Sequence, residues 1–183
     1  MRLMQEEEHL FIVNKVDADE EGAARHRKLG GFGTKRFYDN PNEEDSLGAC
    51  GEAAFSCLTG LPMRKAKDWV EGKGDDGIDF TFMHQGHAIN VDVKAAKKPY
   101  YLLLKEIEET NKAHILVLSG VVLFKGEYWT RLYGWAYKEE LLKQPLRDFG
   151  YGIRSHSLRR ELLEKMDNLC QHIRRGNEAC ASG

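Results

Sequence analysis

Residues 75–80 read Asp-Asp-Gly-Ile-Asp-Phe, and residues 89–94 read Ile-Asn-Val-Asp-Val-Lys. In the second segment apolar and polar residues alternate strictly, which is typical of a strand with one buried face. Because side chains two residues apart lie on the same face of a strand, Asp92 and Lys94 are expected to be neighbours. The sequence therefore predicts an acid and an amine side by side on one face of a sheet.

A β-hairpin is predicted around this strand. Residues 78–83 are a second β-rich run, and the polar, glycine-containing residues 84–87 favour a tight turn between the two runs. Pairing of the two strands would bring Asp79 toward Asp92. Two carboxylates and a lysine are then expected at one sheet edge, an arrangement suited to divalent-metal hydrolysis.

The order of these residues resembles that of the PD-(D/E)xK nuclease superfamily. Members carry an acid near the start of a hairpin and an acid-x-Lys triplet on the next strand. Asp79 matches the first acid, Asp92 the second, where Asp replaces the commoner Glu, and Lys94 matches the lysine. The Pro-Asp dipeptide is absent, since residues 77–79 read Gly-Ile-Asp. The resemblance covers residues 45–135, and it is nearest to small phage-type or resolvase-like members.

A helix is predicted to precede the hairpin, from Asp45 or Ser46 to Thr59. Glu52 lies beside the apolar stripe of this helix and matches a Glu that superfamily members often carry there. A solvated surface residue is the commoner role for a single helical Glu, so only the order of the four residues favours a role at the site. The resemblance implies an α/β fold with a restriction-endonuclease-like core, in which a mixed central β-sheet is flanked by helices.

The resemblance also implies a Mg²⁺ site, for which Mn²⁺ is a substitute. Hard cations prefer oxygen ligands, and Lys94 is expected to orient or activate the attacking water and to counter charge in the transition state. Asp76 is the alternative ligand if the turn has a different register. Val93 is expected to contribute its backbone carbonyl. The expected catalytic residues are Glu52, Asp79, Asp92 and Lys94, and the expected metal ligands are Asp79, Asp92, Val93 and, directly or through water, Glu52.

Five basic side chains flank the predicted site in the sequence. Phosphate contacts of this kind position a nucleic acid without reading its sequence, although lysines that only increase solubility are the alternative. The candidate nucleic-acid-binding residues are Arg64, Lys65, Lys67, Lys97 and Lys98.

The expected partner is nucleic acid, with DNA favoured over RNA. Little chain remains for a sequence-reading domain, so the prediction is an endonuclease that acts on structured or branched DNA in phage-type recombination or DNA processing. A homodimer is a further hypothesis, carried by the resemblance alone. Two alternatives stay open: an RNA-directed nuclease, and a catalytically silent nucleic-acid-binding or assembly protein with the same fold.

Composition places the chain among ordinary globular proteins, with 183 residues, 42% hydrophobic and 31% charged. No apolar run approaches the roughly 20 residues of a membrane helix, and the acidic start at residues 5–8, Gln-Glu-Glu-Glu, does not fit a signal peptide. A cytoplasmic location, in a bacterial or phage-infected cell, and no membrane partner are therefore expected. A net charge of −2 gives no general attraction to a polyanion, so binding would depend on local basic patches.

The pattern of apolar residues predicts further elements. Residues 10–13 favour a strand, 17–29 a helix and 114–124 a strand buried on both faces, whereas 100–105 fit a strand and 102–110 could equally form a helix. A final helix is predicted over 157–175, with an inward apolar stripe of Leu158, Leu162, Met166, Leu169 and Ile173. The N-terminal segment matches nothing in the superfamily core and is assigned no chemistry; it is open whether it covers the sheet, clamps a substrate or forms a dimer contact. The predicted division is an N-terminal arm (1–44), a nuclease core with the C-terminal helix (45–176) and a disordered tail (177–183).

Overall fold

The computed structural model describes residues 3–7, 9–28, 41–64, 77–150 and 152–181. In these residues the protein is mixed α/β, with a curled mixed β-sheet flanked by helices. The strands are β1 (Leu3–Glu7), β2 (Leu10–Val13), β3 (Phe80–His84), β4 (His87–Ala96), β5 (Tyr101–Lys105), β6 (Ile115–Phe124), β7 (Glu127–Tyr137), β8 (Arg147–Asp148) and β9 (Arg154–Arg159). The helices are α1 (Lys15–Lys28), α2 (Pro41–Thr59), α3 (Lys138–Leu142) and α4 (Met166–Ala181).

Two sheets form in the described part of the chain. The main sheet has the strand order β1-β2-β7-β6-β4-β3, and the small sheet has the order β5-β9-β8. All neighbours are antiparallel except β4 and β6, which are parallel. Parallel neighbours need a crossover connection, and residues 97–114, which we call the crossover segment, provide it. This segment contains β5 and a 3₁₀ turn, Glu106–Glu108.

The predicted hairpin is confirmed. β3 pairs with β4 in a register that sets Phe80 opposite Val91, and the strand begins two residues later than the sequence indicated. Gln85 and Gly86 at the tip have φ values of 49° and 80°, which is the backbone conformation of a two-residue type I′ turn. Because Asp79 directly precedes Phe80, this register places Asp79 beside Asp92.

The apolar strand β6 lies at the centre of the core. Ile115 and Val117 face helices α2 and α4, whereas Leu116 and Leu118 face the small sheet and α3. The predicted burial on both faces is therefore confirmed for this half of the strand. It does not extend to the end of β6, where Val122, Leu123 and Phe124 are exposed.

The N-terminal segment is part of the main fold. β2 pairs with β7 on one side and with β1 on the other, so both N-terminal strands belong to the main sheet. Helix α1 packs along α2. Gly22 allows the close approach of the two helices, because a Cβ there would lie 2.7 Å from the backbone nitrogen of Ser46. Helix α2 begins at Pro41, so the predicted boundary after residue 44 falls inside this helix.

The predicted final helix was wrong in its first half. Residues 154–159 form β9, in which Leu158 pairs with Leu102 of β5, and a 3₁₀ turn follows at Arg160–Leu162. Helical spacing of the leucines was overridden by this strand pairing, and Leu162, predicted to be inward, is 66% exposed. α4 starts only at Met166 and continues through Gly176 to Ala181. Within the described residues, no helix combines the length and apolar character that crossing a bilayer requires.

Candidate functional site

A cleft of about 860 Å³ is formed by helix α2, strand β4, the crossover segment and the loop before β9. Glu52, Asp79, Asp92 and Lys94, the predicted catalytic residues, all line this cleft, and so does Val93. The structure therefore brings together side chains that are separated by up to 42 positions in the sequence (94 − 52). We refer to this feature as the acidic cleft.

Asp79 is fixed by the backbone of the neighbouring strand. Its own N–H donates to the Val91 carbonyl over 2.9 Å. In return, the Val93 N–H donates to Asp79 Oδ2 over 2.7 Å. Since Val93 lies between Asp92 and Lys94 in the sequence, the hairpin register holds the Asp79 carboxylate at the acid-x-Lys triplet. The side chain of Asp79 is nearly buried, which limits the directions the carboxylate can take.

Asp92 and Lys94 form an ion pair within the cleft. Lys94 Nζ lies 2.8 Å from Asp92 Oδ2 and 3.2 Å from Glu108 Oε1. Burial of the ammonium group disfavours its charged form, but the Asp92 and Glu108 carboxylates outweigh that effect and raise the pKa of Lys94 above its usual value. Lys94 is therefore a protonated hydrogen-bond donor at neutral pH in this arrangement, rather than a proton acceptor.

The crossover segment supplies residues to the site that were not predicted from the sequence. Besides Glu108, Asn111 belongs to the site, because its Nδ2 donates to Asp92 Oδ2 over 3.2 Å. Lys138 Nζ in turn donates to the Asn111 carbonyl over 2.6 Å, and burial lowers the pKa of Lys138. Gly77 approaches this segment closely: it has φ +70°, and a Cβ there would lie 2.6 Å from Asn111 Nδ2. The crossover between the parallel strands β4 and β6 places this segment over the site, and no local sequence pattern indicated that placement.

Glu52 reaches the cleft from α2 but is paired with a residue of α1. Arg25 Nη2 lies 2.8 Å from Glu52 Oε2, and Arg25 Nη1 also donates to Glu52 Oε1. The guanidinium additionally donates from Nε to Glu21 Oε1 over 3.0 Å. Arg25 and Glu52 are only 3% and 6% exposed, so this is a buried ion pair. The N-terminal segment, for which no chemistry was predicted, therefore contributes a charged partner to a predicted site residue.

The structure places two of the predicted phosphate-binding residues at the cleft and one away from it. Lys97 and Lys98 line the cleft, and Lys97 Nζ also lies 2.5 Å from Glu43 Oε1. Arg64 is not among the described residues that line it; its Nη1 is 3.5 Å from the Ile78 carbonyl. Two further lysines, Lys105 and Lys112, line the cleft without having been predicted. Lys65, Lys67 and the alternative ligand Asp76 lie outside the described residues.

The oxygen donors at the cleft fit a magnesium ion that takes its remaining ligands from water and substrate. Across the described ranges, no three His, Cys, Asp or Glu side chains are grouped so as to hold a metal ion by themselves. Mg²⁺ commonly binds one or two carboxylates and completes its shell with waters and substrate phosphates. Asp79 and Asp92, on neighbouring positions of the hairpin and lining an open cleft, provide that smaller set.

Neither the models of known protein families, nor the curated proteins, nor the solved structures gave a match to this chain.

Proposed function

We propose that this chain is a Mg²⁺-dependent nuclease with a restriction-endonuclease-like core, which hydrolyses phosphodiester bonds as a DNA endonuclease on structured or branched DNA. One observation carries the proposal: the Val93 N–H binds the Asp79 carboxylate at the point where Asp92 and Lys94 meet in an ion pair. The order of these residues along the chain, with Glu52 before them, supports the same assignment.

Asp79 and Asp92 would hold the cation. Bound Mg²⁺ would lower the pKa of a water molecule and offset the negative charge on the phosphate. The backbone hydrogen bond from Val93 fixes one carboxylate, and the Asn111 amide orients the other. A site held by such contacts costs little reorganisation when the substrate enters.

Lys94 would act as a cation and a donor. Its ammonium group is positioned by Asp92 and Glu108 on one face of β4, within reach of an anion that enters the cleft. The Asp92 and Glu108 carboxylates raise the pKa of Lys94 in the metal-free protein, and its ammonium group can donate to a phosphate oxygen or to the attacking water. Removal of the proton from water would then fall to another group, such as the phosphate itself or solvent.

Glu52 would support the site rather than ligate metal directly in this conformation. Both of its carboxylate oxygens accept hydrogen bonds from Arg25. Direct ligation would require this buried ion pair to open, and separating two buried charges is costly.

A second candidate is a nucleic-acid-binding or assembly protein without catalysis. The observation that favours it is the pairing of cleft acids with protein cations: Asp92 and Glu108 with Lys94, and Glu52 with Arg25. Such pairing neutralises an acidic cleft without any metal, and the lysines at its rim would then serve for binding alone.

The test is a cleavage assay on labelled duplex, branched and single-stranded DNA and on RNA, each with Mg²⁺, with Mn²⁺ or with EDTA. Wild type is compared with Asp92→Asn and Lys94→Met, and with Lys143→Met, an exposed lysine outside the cleft. We expect metal-dependent cutting of DNA that falls by about 100-fold or more in the two cleft variants, as when a charge-stabilising group is lost, and that persists in the control.

Each other outcome has a defined meaning. Binding in all conditions without cutting favours the second candidate. Cutting of RNA alone makes the chain an RNA-directed nuclease. Metal-dependent cutting that Asp92→Asn leaves intact would show that the acidic cleft is not the active site.

A further inference from the structure

The cleft has a second wall that is aromatic and apolar. Tyr101, Leu103 and Ile107 from the crossover segment, together with Phe149 and Ile153 from the loop before β9, line it. Strand β5 sorts its side chains by alternation: Leu102 and Leu104 are buried in the core, and Tyr101 and Leu103 are left at the cleft. The wall is thus a consequence of how β5 packs on the main sheet.

Tyr101 and Phe149 form a ring pair on this wall. Their centroids are 5.5 Å apart and their planes are inclined at 51°. Both side chains are only partly buried, so the ring pair remains accessible at the surface of the cleft. Carboxylates, a bound cation and lysines are sufficient to recognise phosphate, so phosphate chemistry gives no reason for aromatic rings at this place.

A nucleobase explains the combination of rings and lysines. Proteins that bind single strands place aromatic side chains, on which bases stack, beside a basic groove that follows the backbone. Here Lys97, Lys98 and Lys105 line the same cleft as the Tyr101–Phe149 pair. The cleft volume of about 860 Å³ lies within the range of about 300–1,000 Å³ that encloses a drug-sized ligand. It therefore suits a nucleotide or two rather than the width of a duplex.

We propose, on the basis of the nuclease function proposed above, that the substrate presents unpaired nucleotides to the cleft. A base lies against Tyr101 and Phe149 while the adjoining phosphate lies at the cation that Asp79 and Asp92 would hold. The substrate class is single-stranded nucleic acid, or the unpaired part of a branched or frayed molecule. DNA and RNA share this chemistry, because every base has a face that can stack.

The test measures binding separately from cutting. All proteins carry Asp92→Asn, so that hydrolysis does not interfere, and affinities for fluorescently labelled single-stranded DNA, single-stranded RNA and duplex DNA are measured in Mg²⁺. Tyr101→Ala and Phe149→Ala are compared with Tyr100→Ala, the preceding residue, which is 61% exposed and does not line the cleft. Tyr101→Phe keeps the ring, and thermal unfolding checks that each variant folds.

We expect single strands to bind more tightly than duplex. Loss of one stacking ring should weaken single-strand binding by about 5- to 150-fold in Tyr101→Ala or Phe149→Ala. Tyr101→Phe and Tyr100→Ala should change it little. Equal affinity for duplex and single strand, or affinities of folded Tyr101→Ala and Phe149→Ala no weaker than that of Tyr100→Ala, would overturn the inference.

The two proposals can fail independently. If the chain never cuts but single-strand binding depends on the two rings, the inference about the ligand holds and the nuclease function is lost. If wild type and Tyr101→Ala, both with Asp92 intact, cut intact duplex in Mg²⁺ at the same rate, the nuclease function holds and the inference is lost.

Discussion

Both carboxylate oxygens of Glu52 accept hydrogen bonds from the Arg25 guanidinium, with Arg25 Nη2 2.8 Å from Glu52 Oε2. The pair joins α1 to α2 directly at the acidic cleft. A guanidinium and a carboxylate that match in this two-pronged geometry restrict both side chains to one orientation. The N-terminal segment therefore helps to shape the cleft, although it contributes none of the predicted metal ligands.

Removing Arg25 should destabilise the protein strongly. Arg25→Met removes the guanidinium that pairs with the buried Glu52 carboxylate, and losses of this kind are about 3–5 kcal/mol in the free energy of unfolding. Urea unfolding at pH 7 measures the loss. The double variant Arg25→Met, Glu52→Leu removes both charges and should recover most of it, because an apolar replacement of a buried pair is often neutral. A double variant that is less stable than Arg25→Met would contradict this account.

The pKa of Lys94 predicts a specific pH dependence of stability. Its folded-state pKa is raised above the unfolded value of about 10.4, so its protonated form contributes stability that is fully present below about pH 10.4. That contribution is lost as the pH rises through the folded-state pKa. The stability difference between wild type and Lys94→Met should therefore be constant from pH 7 to 9 and shrink at higher pH.

Urea unfolding measured over this pH range tests the Lys94 prediction and also provides its control. Lys143→Met replaces an exposed lysine, and its stability should follow the wild-type pH profile in parallel. The Lys94 interpretation fails if the difference between wild type and Lys94→Met already shrinks between pH 7 and 9, where the ammonium should remain protonated.

Gly77 should be required for the orientation of Asp92. Gly77→Ala incurs the cost of a left-handed conformation, about 1–2 kcal/mol, and its Cβ would also push on Asn111, which donates to Asp92. Gly86→Ala is the matched control, since it has φ +80° and nothing within 4 Å of the added Cβ. We expect Gly77→Ala to lose more stability than Gly86→Ala and to lose DNA cleavage as well. Equal losses of stability together with unchanged cleavage would count against a role for Asn111.

The hairpin was predictable because its signals are local. Period-two alternation through residues 89–94 and a glycine-containing turn specify the strands, and the turn then fixes the register that joins Asp79 to the acid-x-Lys triplet. The buried half of β6 was predictable for a similar reason, since a continuous apolar run is typical of a strand covered on both faces.

Contacts made by tertiary packing were not predictable in this way. Asn111 meets Asp92 from 19 positions away, and Arg25 meets Glu52 from 27 positions away, through elements whose relative placement no local pattern specifies. The helix predicted over residues 157–165 was wrong although a local pattern was present. Leucines at helical spacing suggested a helix, but pairing of β9 with β5 provided a stronger constraint. Burial of Met166, Leu169 and Ile173 in α4 agrees with the predicted apolar stripe of the final helix.

The most direct measurement of the central claim is a Mn²⁺ titration followed by electron paramagnetic resonance. Wild type is compared with Asp79→Asn and Asp92→Asn, and with Asp167→Asn as the control, because Asp167 is an exposed α4 carboxylate that does not line the cleft. We predict one site that is retained in the control and weakened by about 10- to 100-fold or more in each cleft variant. Equal Mn²⁺ affinity in all four proteins would contradict the claim that Asp79 and Asp92 together hold the cation.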